Sequence, residues 1–408
     1  MSVDRLVVVG ASLAGLRAVE AARRAGFTGS VTLIGDEPHL PYDRPPLSKA
    51  VLEPDTAVDA PTFRSLDTLH REMRVDLRLG ERAAGLDPRR GVVCVDGTEV
   101  GYDALVIATG SVPRMLPGAD HLDGVHALRT IDDARAIRAA LDGGARTVLV
   151  GAGFIGAEVA SAARKRALPV TIVEALEVPL LHAVGAEMGA ALAELHRRNG
   201  VDLHCGVQVL GVEGEQHVER VRLSDGTAVD ADLVVVGIGS TPATGWLDGS
   251  GVTVEAGVVC DETLASSTPG IYAAGDVVQW HNPAFGEPMR LEHWTSAAEQ
   301  GAIAAANAVA LAPAKTYATV PYFWSDWYGH RIQFVGLAAA DEVSVAAGSL
   351  DPERFIALYR RGDRLIGALA LNCPAQIMKY RALIAKNASW SDALEFAQAR
   401  PLAATQSH

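Results

Sequence analysis

Cysteine is scarce in this 408-residue chain, with only Cys94, Cys205, Cys260 and Cys373. They lie far apart, and none forms a C-x-x-C or C-x4-C pair. The spacing gives no metal site and no ligand set for an iron–sulfur cluster. Reduced, partly buried thiols are the expectation. Positive charge is also in deficit: the formal net charge is −13. This sets the chain as a whole against nucleic acid and anionic membrane, leaving only local basic patches for such partners. No apolar run is long enough to cross a bilayer without charged or loop residues. The opening Met1-Ser2-Val3-Asp4-Arg5 has neither the basic region nor the small-residue cleavage site of a signal peptide, so a cytoplasmic protein is expected.

Glycine, by contrast, is abundant at 40 residues, and 49% of the chain is apolar. This suits an α/β protein with many tight turns and two or three cores. The glycines matter most in two related stretches. Leu6-Val7-Val8-Val9-Gly10-Ala11-Ser12-Leu13-Ala14-Gly15 is echoed by Thr147-Val148-Leu149-Val150-Gly151-Ala152-Gly153-Phe154-Ile155-Gly156. Each is a buried strand, a glycine turn and the start of a helix, the opening of a dinucleotide-binding βαβ unit. Such a turn lets backbone approach a pyrophosphate, and the helix start offers it N–H groups and a positive dipole end. One match alone is weak; two argue for two nucleotides in one protein. In the first, Ser12 stands where the middle glycine belongs, small enough for close approach and able to add a hydroxyl contact.

Each module then continues as the fold requires. The helix over 13–25 ends at Gly26, and the strand over 30–36 ends in Asp36, an acid placed to accept ribose hydroxyls. The proline-stiffened loop Leu40-Pro41-Tyr42-Asp43-Arg44-Pro45-Pro46-Leu47-Ser48-Lys49 carries two anchored cations, Arg44 and Lys49, read as cofactor contacts. Residues 63–78 look helical, with scattered arginines on a solvated face. A hairpin over 92–100 leads to a buried strand that stops at Ala108-Thr109-Gly110, where backbone can pass close to a ligand. A helix over 131–141 opens the second module, whose second strand, 169–174, ends in Glu174 about 20 residues beyond the glycines. An acid there chelates the adenosine ribose and repels a 2′-phosphate, and no Arg or Lys follows over 175–188 to hold one. NADH is therefore favoured over NADPH. Strands are expected over 203–210, 218–223 and 233–239. A strand over 271–274 then ends in Gly275-Asp276, placing a carboxylate at the strand's carboxyl end for a ligand hydroxyl.

After an Ala-rich helix over 297–311 comes the densest aromatic cluster, Val320-Pro321-Tyr322-Phe323-Trp324-Ser325-Asp326-Trp327-Tyr328. Four strand-like runs over 331–337, 343–347, 355–361 and 365–371 follow, then a helix over 376–384. The fold class expected is α/β: two Rossmann-like dinucleotide-binding domains plus a small α+β C-terminal domain.

Over essentially its full length the chain resembles the FAD-dependent NADH:ferredoxin reductases of bacterial oxygenase systems, which share the glutathione reductase fold. The likeness is carried by the two glycine stretches, Arg44-Pro45-Pro46-Leu47-Ser48-Lys49, Ala108-Thr109-Gly110, Ile271-Tyr272-Ala273-Ala274-Gly275-Asp276, Glu292-His293-Trp294 and Phe323-Trp324-Ser325-Asp326. It implies a discontinuous FAD domain (1–113 and 241–315), an NAD domain (114–240) and a C-terminal domain (316–408). FAD would be held by Gly10, Ser12, Leu13, Ala14, Gly15, Asp36, Arg44, Lys49, Ala83, Thr109, Gly110, Arg129, Gly275, Asp276, Trp294 and Trp324. Asp36 would take the adenosine ribose and Asp276 the ribityl chain. NADH would be held by Gly151, Gly153, Phe154, Ile155, Gly156, Glu158, Glu174 and Gly239. Lys49 and Glu158 would pair at the reactive edge of the flavin. Val178 and His182 depart from the family, standing where relatives often carry Arg.

The implied reaction takes a hydride from NADH and passes single electrons to a [2Fe-2S] ferredoxin that serves a cytochrome P-450 or Rieske oxygenase. The expected protein is a monomer or homodimer, with neither nucleic acid nor membrane as partner. Rubredoxin reductase and an FAD/NADH-binding redox-signalling protein are the alternatives. A disulfide reductase is disfavoured, since the loop ending at Lys49 carries no cysteine pair. An acidic ferredoxin would need a local basic patch, for which Arg331, Arg354, Arg360, Arg361, Arg364, Lys379, Arg381 and Lys386 are candidates.

Overall fold

The computed structural model describes residues 3–119, 121–310, 314–350 and 354–402. Its chain divides into two units: Met1–Asp43, Ala60–Val112 and Ser240–Thr319 form the first, and Arg44–Asp59, Pro113–Gly239 and Val320–His408 the second.

The first unit is built on a five-stranded parallel sheet in the order Ile271–Ala273, Ala104–Ile107, Arg5–Val9, Ser30–Gly35, Val75–Leu79. Leu6, Val7, Val8 and Val9 are buried, as a strand covered on both faces must be, and each such side chain stabilises the fold by roughly 1.5–3 kcal/mol. The helices Leu13–Arg24 and Trp294–Val309 pack together in this unit. Their approach depends on Gly301, where a Cβ would stand 2.1 Å from the carbonyl oxygen of Ala14. The described part of the Ala-rich helix begins at Trp294, earlier than expected, and the expected end at Leu311 lies outside the described residues.

The helix expected over 63–78 is not formed. A single wide turn, Thr68–Glu72, is followed by the strand Val75–Leu79, which pairs with Ser30–Gly35. Arg74 has φ +52° and breaks any continuous helix. Val75, Leu77 and Leu79 then alternate with period two, the spacing of a strand.

The second unit repeats the plan with Asp202–Cys205, Val170–Glu174, Thr147–Val150, Leu233–Val236 and Val125–His126, again all parallel. The strand expected over 203–210 splits into Asp202–Cys205 and Val209–Glu213, because Gly206 turns the chain at φ +72°. An antiparallel sheet follows, in the order Tyr322–Trp327, His330–Gly336, Arg364–Leu371, Arg354–Arg361, Glu342–Ser349. The four expected strands are present and the aromatic cluster supplies a fifth. Its hairpin turns on Tyr328 and Gly329 at φ +50° and +86°, the primed geometry that suits twisted strands. Trp327, Phe334, Phe355, Tyr359 and Leu369 pack on Val184, Met188, Leu192 and Leu195 of the helix Leu181–Arg198, so this sheet shares a core with the second nucleotide-type module. The final helix expected spans Pro374–Ala385, and Trp390–Gln398 adds another, opened by a Ser389/Asp392 capping box. The Arg44–Asp59 loop also belongs here. Arg138 and Arg166 donate to the Val51 and Leu52 carbonyls at 2.8 Å each, and Lys165 pairs with Glu53.

Candidate functional site

In the first unit, in-register parallel strands end side by side: Val9 lies opposite both Ile34 and Ile107, and Ile107 opposite Ala273. The turns that follow them, at Gly10, Gly35-Asp36, Ala108-Thr109-Gly110 and Ala274-Gly275-Asp276, therefore gather at one end of the sheet, where ligands bind in open α/β folds. Gly10 has φ +116°, and a Cβ on it would lie 2.0 Å from the Ala108 carbonyl oxygen. On Gly15 a Cβ would lie 1.9 Å from the Gly10 carbonyl oxygen. Only glycine lets the helix close onto the strand. Ser12 caps the helix Leu13–Arg24 with extended backbone but makes no side-chain capping bond, so the first-turn N–H groups are not taken by it.

Asp36 is exposed beside this turn. Ala83 is brought close by the Glu81 N–H, which donates to the Gly35 carbonyl at 3.0 Å. Thr109 donates its hydroxyl to Ala243 O at 2.8 Å. The Asp276 carboxylate accepts the Ser111 hydroxyl at 3.1 Å. Trp294 Nε1 donates to Asp43 at 2.8 Å. Sequence reasoning missed Gln300. Its Oε1 accepts the Gly275 N–H at 2.8 Å, while its buried Nε2 finds no acceptor among the described residues. An orphaned donor next to a glycine turn suits a polar cofactor. The signal was a long polar side chain on the buried face of a helix whose neighbouring buried positions hold the small residues Ser296, Ala297, Gly301 and Ala304.

The second turn repeats the geometry. Gly151 has φ +99°, and a Cβ there would sit 2.4 Å from the Gly237 carbonyl oxygen; on Gly156 it would sit 2.5 Å from that of Gly151. Gly153 caps the helix Phe154–Lys165 with no side-chain bond. Glu174 accepts N–H bonds from Ala152 at 2.7 Å and Leu176 at 2.9 Å, which fixes its carboxylate beside the turn. Ile155 and Ile238 leave apolar surface exposed here, with Gly239 next to them. The Phe154 ring instead packs on Phe323, centroids 4.6 Å apart. His182 is exposed and Val178 half-buried.

Glu158, on the same helix, is 4% exposed and saturated with donors. Lys49 Nζ lies 2.8 Å from each carboxylate oxygen. Ser48 donates its hydroxyl to Oε2 and Ser325 to Oε1, and the Asp326 N–H reaches Oε1 at 3.3 Å. Taking a carboxylate out of water costs several kcal/mol, offset here by a cation and three further donors. Ser48 and Ser325 lie within motifs that carry the family resemblance, but nothing local in the sequence marks them as partners of Glu158.

Arg44 and Arg129 also come together: Arg44 Nη1 donates to the Arg129 carbonyl at 2.6 Å. Trp324 stacks on Tyr322, centroids 5.7 Å apart, and Arg331 lies over its ring at 5.4 Å. Among the C-terminal cations, Arg331 pairs with Asp326 and Arg360 with Glu342, each at 2.6 Å. Arg361 and Arg381 donate to the Ala339 and Val320 carbonyls. Arg364, Lys379 and Lys386 are exposed and Arg354 is half-buried.

Two such turns, each on its own parallel sheet, with an antiparallel sheet after them, define a dinucleotide-dependent oxidoreductase. Residues 4–301 match the pyridine nucleotide-disulphide oxidoreductase family and residues 322–405 a reductase C-terminal family, and the chain belongs to the former. Rhodocoxin reductase of Rhodococcus erythropolis is 35% identical over 93% of this chain and 89% of its own length. The ferredoxin–NAD(+) reductase component of the biphenyl dioxygenase system of Paraburkholderia xenovorans is 36% identical over 95% of each chain. A chain in the crystal structure of the covalent putidaredoxin reductase–putidaredoxin complex superposes with a TM-score of 0.90, at 32% identity, over 98% of this chain and 99% of that one. The resemblance and fold class read from the motifs are borne out.

Proposed function

We propose that the protein is an NADH-dependent, FAD-containing ferredoxin reductase that supplies a [2Fe-2S] ferredoxin serving a cytochrome P-450 or Rieske oxygenase. The observation that carries this reading is near-full-length similarity to ferredoxin–NAD(+) reductases together with two glycine turns that admit no side chain. Bound FAD supplies the conversion between a two-electron donor and a one-electron acceptor; all other tasks fall to the chain.

In the first unit the N–H groups of the Ser12–Gly15 turn receive the FAD pyrophosphate. Asp36 takes ribose hydroxyls, Asp276 ribityl hydroxyls, and Gly275 permits close approach. In the second unit the Gly151–Gly156 turn receives the NADH pyrophosphate. Glu174, held by two backbone N–H groups, accepts the ribose hydroxyls and repels a 2′-phosphate. The Lys49–Glu158 pair provides a fixed charge at the reactive edge of the flavin. No helix among the described residues is long and apolar enough to cross a membrane, and we assign the protein to the cytoplasm.

Disulfide chemistry, which the family name suggests, needs a cysteine pair. Cys94, Cys205, Cys260 and Cys373 are all free thiols, and the loop where such a pair would lie, Pro45-Pro46-Leu47-Ser48-Lys49, carries none of them. The test is anaerobic rapid mixing of the yellow holoprotein with NADH, followed by cytochrome c reduction with candidate ferredoxins added singly. Bleaching of the flavin and ferredoxin-dependent cytochrome reduction are expected. A flavin that NADH leaves oxidised refutes the reading.

A further inference from the structure

Glu158 is held by residues from two distant stretches, and one of them is itself oriented by a group outside the site. Ser325 has one hydroxyl proton and two acceptor lone pairs. Trp327 Nε1–H, a donor only, reaches Ser325 Oγ at 2.8 Å. With that indole donating to it, the serine directs its single proton to Glu158 Oε1. The hydroxyl is thus a relay of fixed direction, indole to serine to carboxylate.

The relay is rigid because each member is locked. Trp327 and Ser325 are 0% exposed. The indole ring lies against His196, centroids 4.9 Å apart at 34°. His196 Nδ1 and the Tyr328 hydroxyl share a hydrogen bond of 2.7 Å. The Tyr328 N–H then donates to Ser161 Oγ at 2.9 Å, three residues beyond Glu158 on the same helix. The hairpin is fastened to the helix Phe154–Lys165 at two points less than one turn apart, so the carboxylate and the serine that holds it cannot drift independently.

We propose that Ser325, oriented by Trp327, is a positioning residue for the Glu158 carboxylate and through it for Lys49, so that the C-terminal sheet sets the geometry of this charge pair. The inference rests on the reading above that the pair works on the bound flavin. Loss of the Trp327 N–H frees the serine hydroxyl to rotate. Loss of the serine hydroxyl leaves Oε1 with the longer Asp326 N–H bond and Lys49. Both changes should have the same consequence, since they act through one bond.

Trp327→Phe keeps an aromatic ring in the core and removes only the donor together with part of the indole; Ser325→Ala removes the hydroxyl. Holoenzymes carrying each, both together, and Glu158→Gln would be compared by rapid-mixing flavin reduction, spectroelectrochemical midpoint potential and thermal unfolding. Trp327→Phe and Ser325→Ala should each slow flavin reduction by NADH, by about 10–150-fold where the whole bond from serine to carboxylate is lost. They should move the midpoint potential in the same direction, and the double variant should resemble Ser325→Ala alone. Additive effects, or an unchanged rate and potential in Trp327→Phe while Glu158→Gln is impaired, overturn the relay. An unimpaired Glu158→Gln overturns the underlying role of the pair instead. If Trp327→Phe melts far lower, rate and potential measured well below that transition still decide between a shared and an additive effect.

Discussion

Gly151→Ala isolates what the second glycine turn does. At φ +99° an alanine is strained by roughly 1–3 kcal/mol before any contact is considered. Its Cβ would stand 2.4 Å from the Gly237 carbonyl oxygen, whereas an unstrained carbon–oxygen approach is about 3.3 Å. The turn must therefore open by about 0.9 Å. It has little freedom to do so, because the Gly151 N–H donates to Val173 O at 2.8 Å and the Gly237 N–H to Val150 O at 2.7 Å. A misplacement of that size at a substrate-positioning element costs about 100-fold in rate. The expected variant is folded and yellow, is photoreduced as readily as the parent, but shows NADH-driven flavin reduction down about 100-fold in kcat/KM. Anaerobic stopped-flow with NADH, with photoreduction as control, makes the measurement. An NADH titration matching the parent's would refute the argument that backbone approach at this turn binds the nucleotide.

Three further outcomes are expected. Gly10→Ala meets the Ala108 carbonyl oxygen at 2.0 Å and should lose FAD on dilution or gel filtration; a variant that stays as yellow as the parent speaks against the first turn as the flavin cradle. Burial depresses His196 and His293 to about 4 from 6.5. The unfolded chain therefore binds protons that the folded one refuses, and the stability these residues contribute, complete above about pH 6.5, falls as pH drops towards 4. By pH 5 the loss is about 2 kcal/mol per histidine, visible as a lower urea midpoint; a midpoint flat from about pH 7.5 to 5 contradicts it. Replacing exposed Arg364, Lys379 and Lys386 by Gln should flatten the salt dependence of ferredoxin reduction and lower kcat/KM about 3–10-fold; an unchanged salt profile places docking elsewhere.

The parts of the molecule legible in the sequence are those whose physics is local. Leu6, Val7, Val8 and Val9 run unbroken into Gly10, because a strand buried on both faces and a turn that excludes Cβ both write themselves into neighbouring residues. The same holds for Thr147 to Gly156 and for Ile271 to Asp276. Locality failed where two signals overlapped. Residues 63–78 look amphipathic enough for a helix, yet Val75, Leu77 and Leu79 find an open sheet edge beside Ser30–Gly35, and tertiary pairing outweighs propensity. The strand Tyr322–Trp327 was hidden because its hairpin turns on Tyr328-Gly329, where a non-glycine residue accepts φ +50°.

Polar partners at long range were illegible for a different reason. The Ser48 and Ser325 hydroxyls meet Glu158 across 110 and 167 residues of chain, and Gln300 reaches Gly275 across 25. A serine inside a motif looks the same whether its hydroxyl faces water or a buried carboxylate. What separates the cases is the cost of burying Glu158: with water excluded, every oxygen lone pair must find a donor, and the fold has to supply those donors from wherever the chain happens to pass. A site built around a desolvated charge thus recruits residues by geometry rather than by sequence neighbourhood. That is why Lys49 can be read from its proline-stiffened loop and Glu158 from the family resemblance, while Ser48, Ser325 and the indole acquire their places only where loop and hairpin meet the helix.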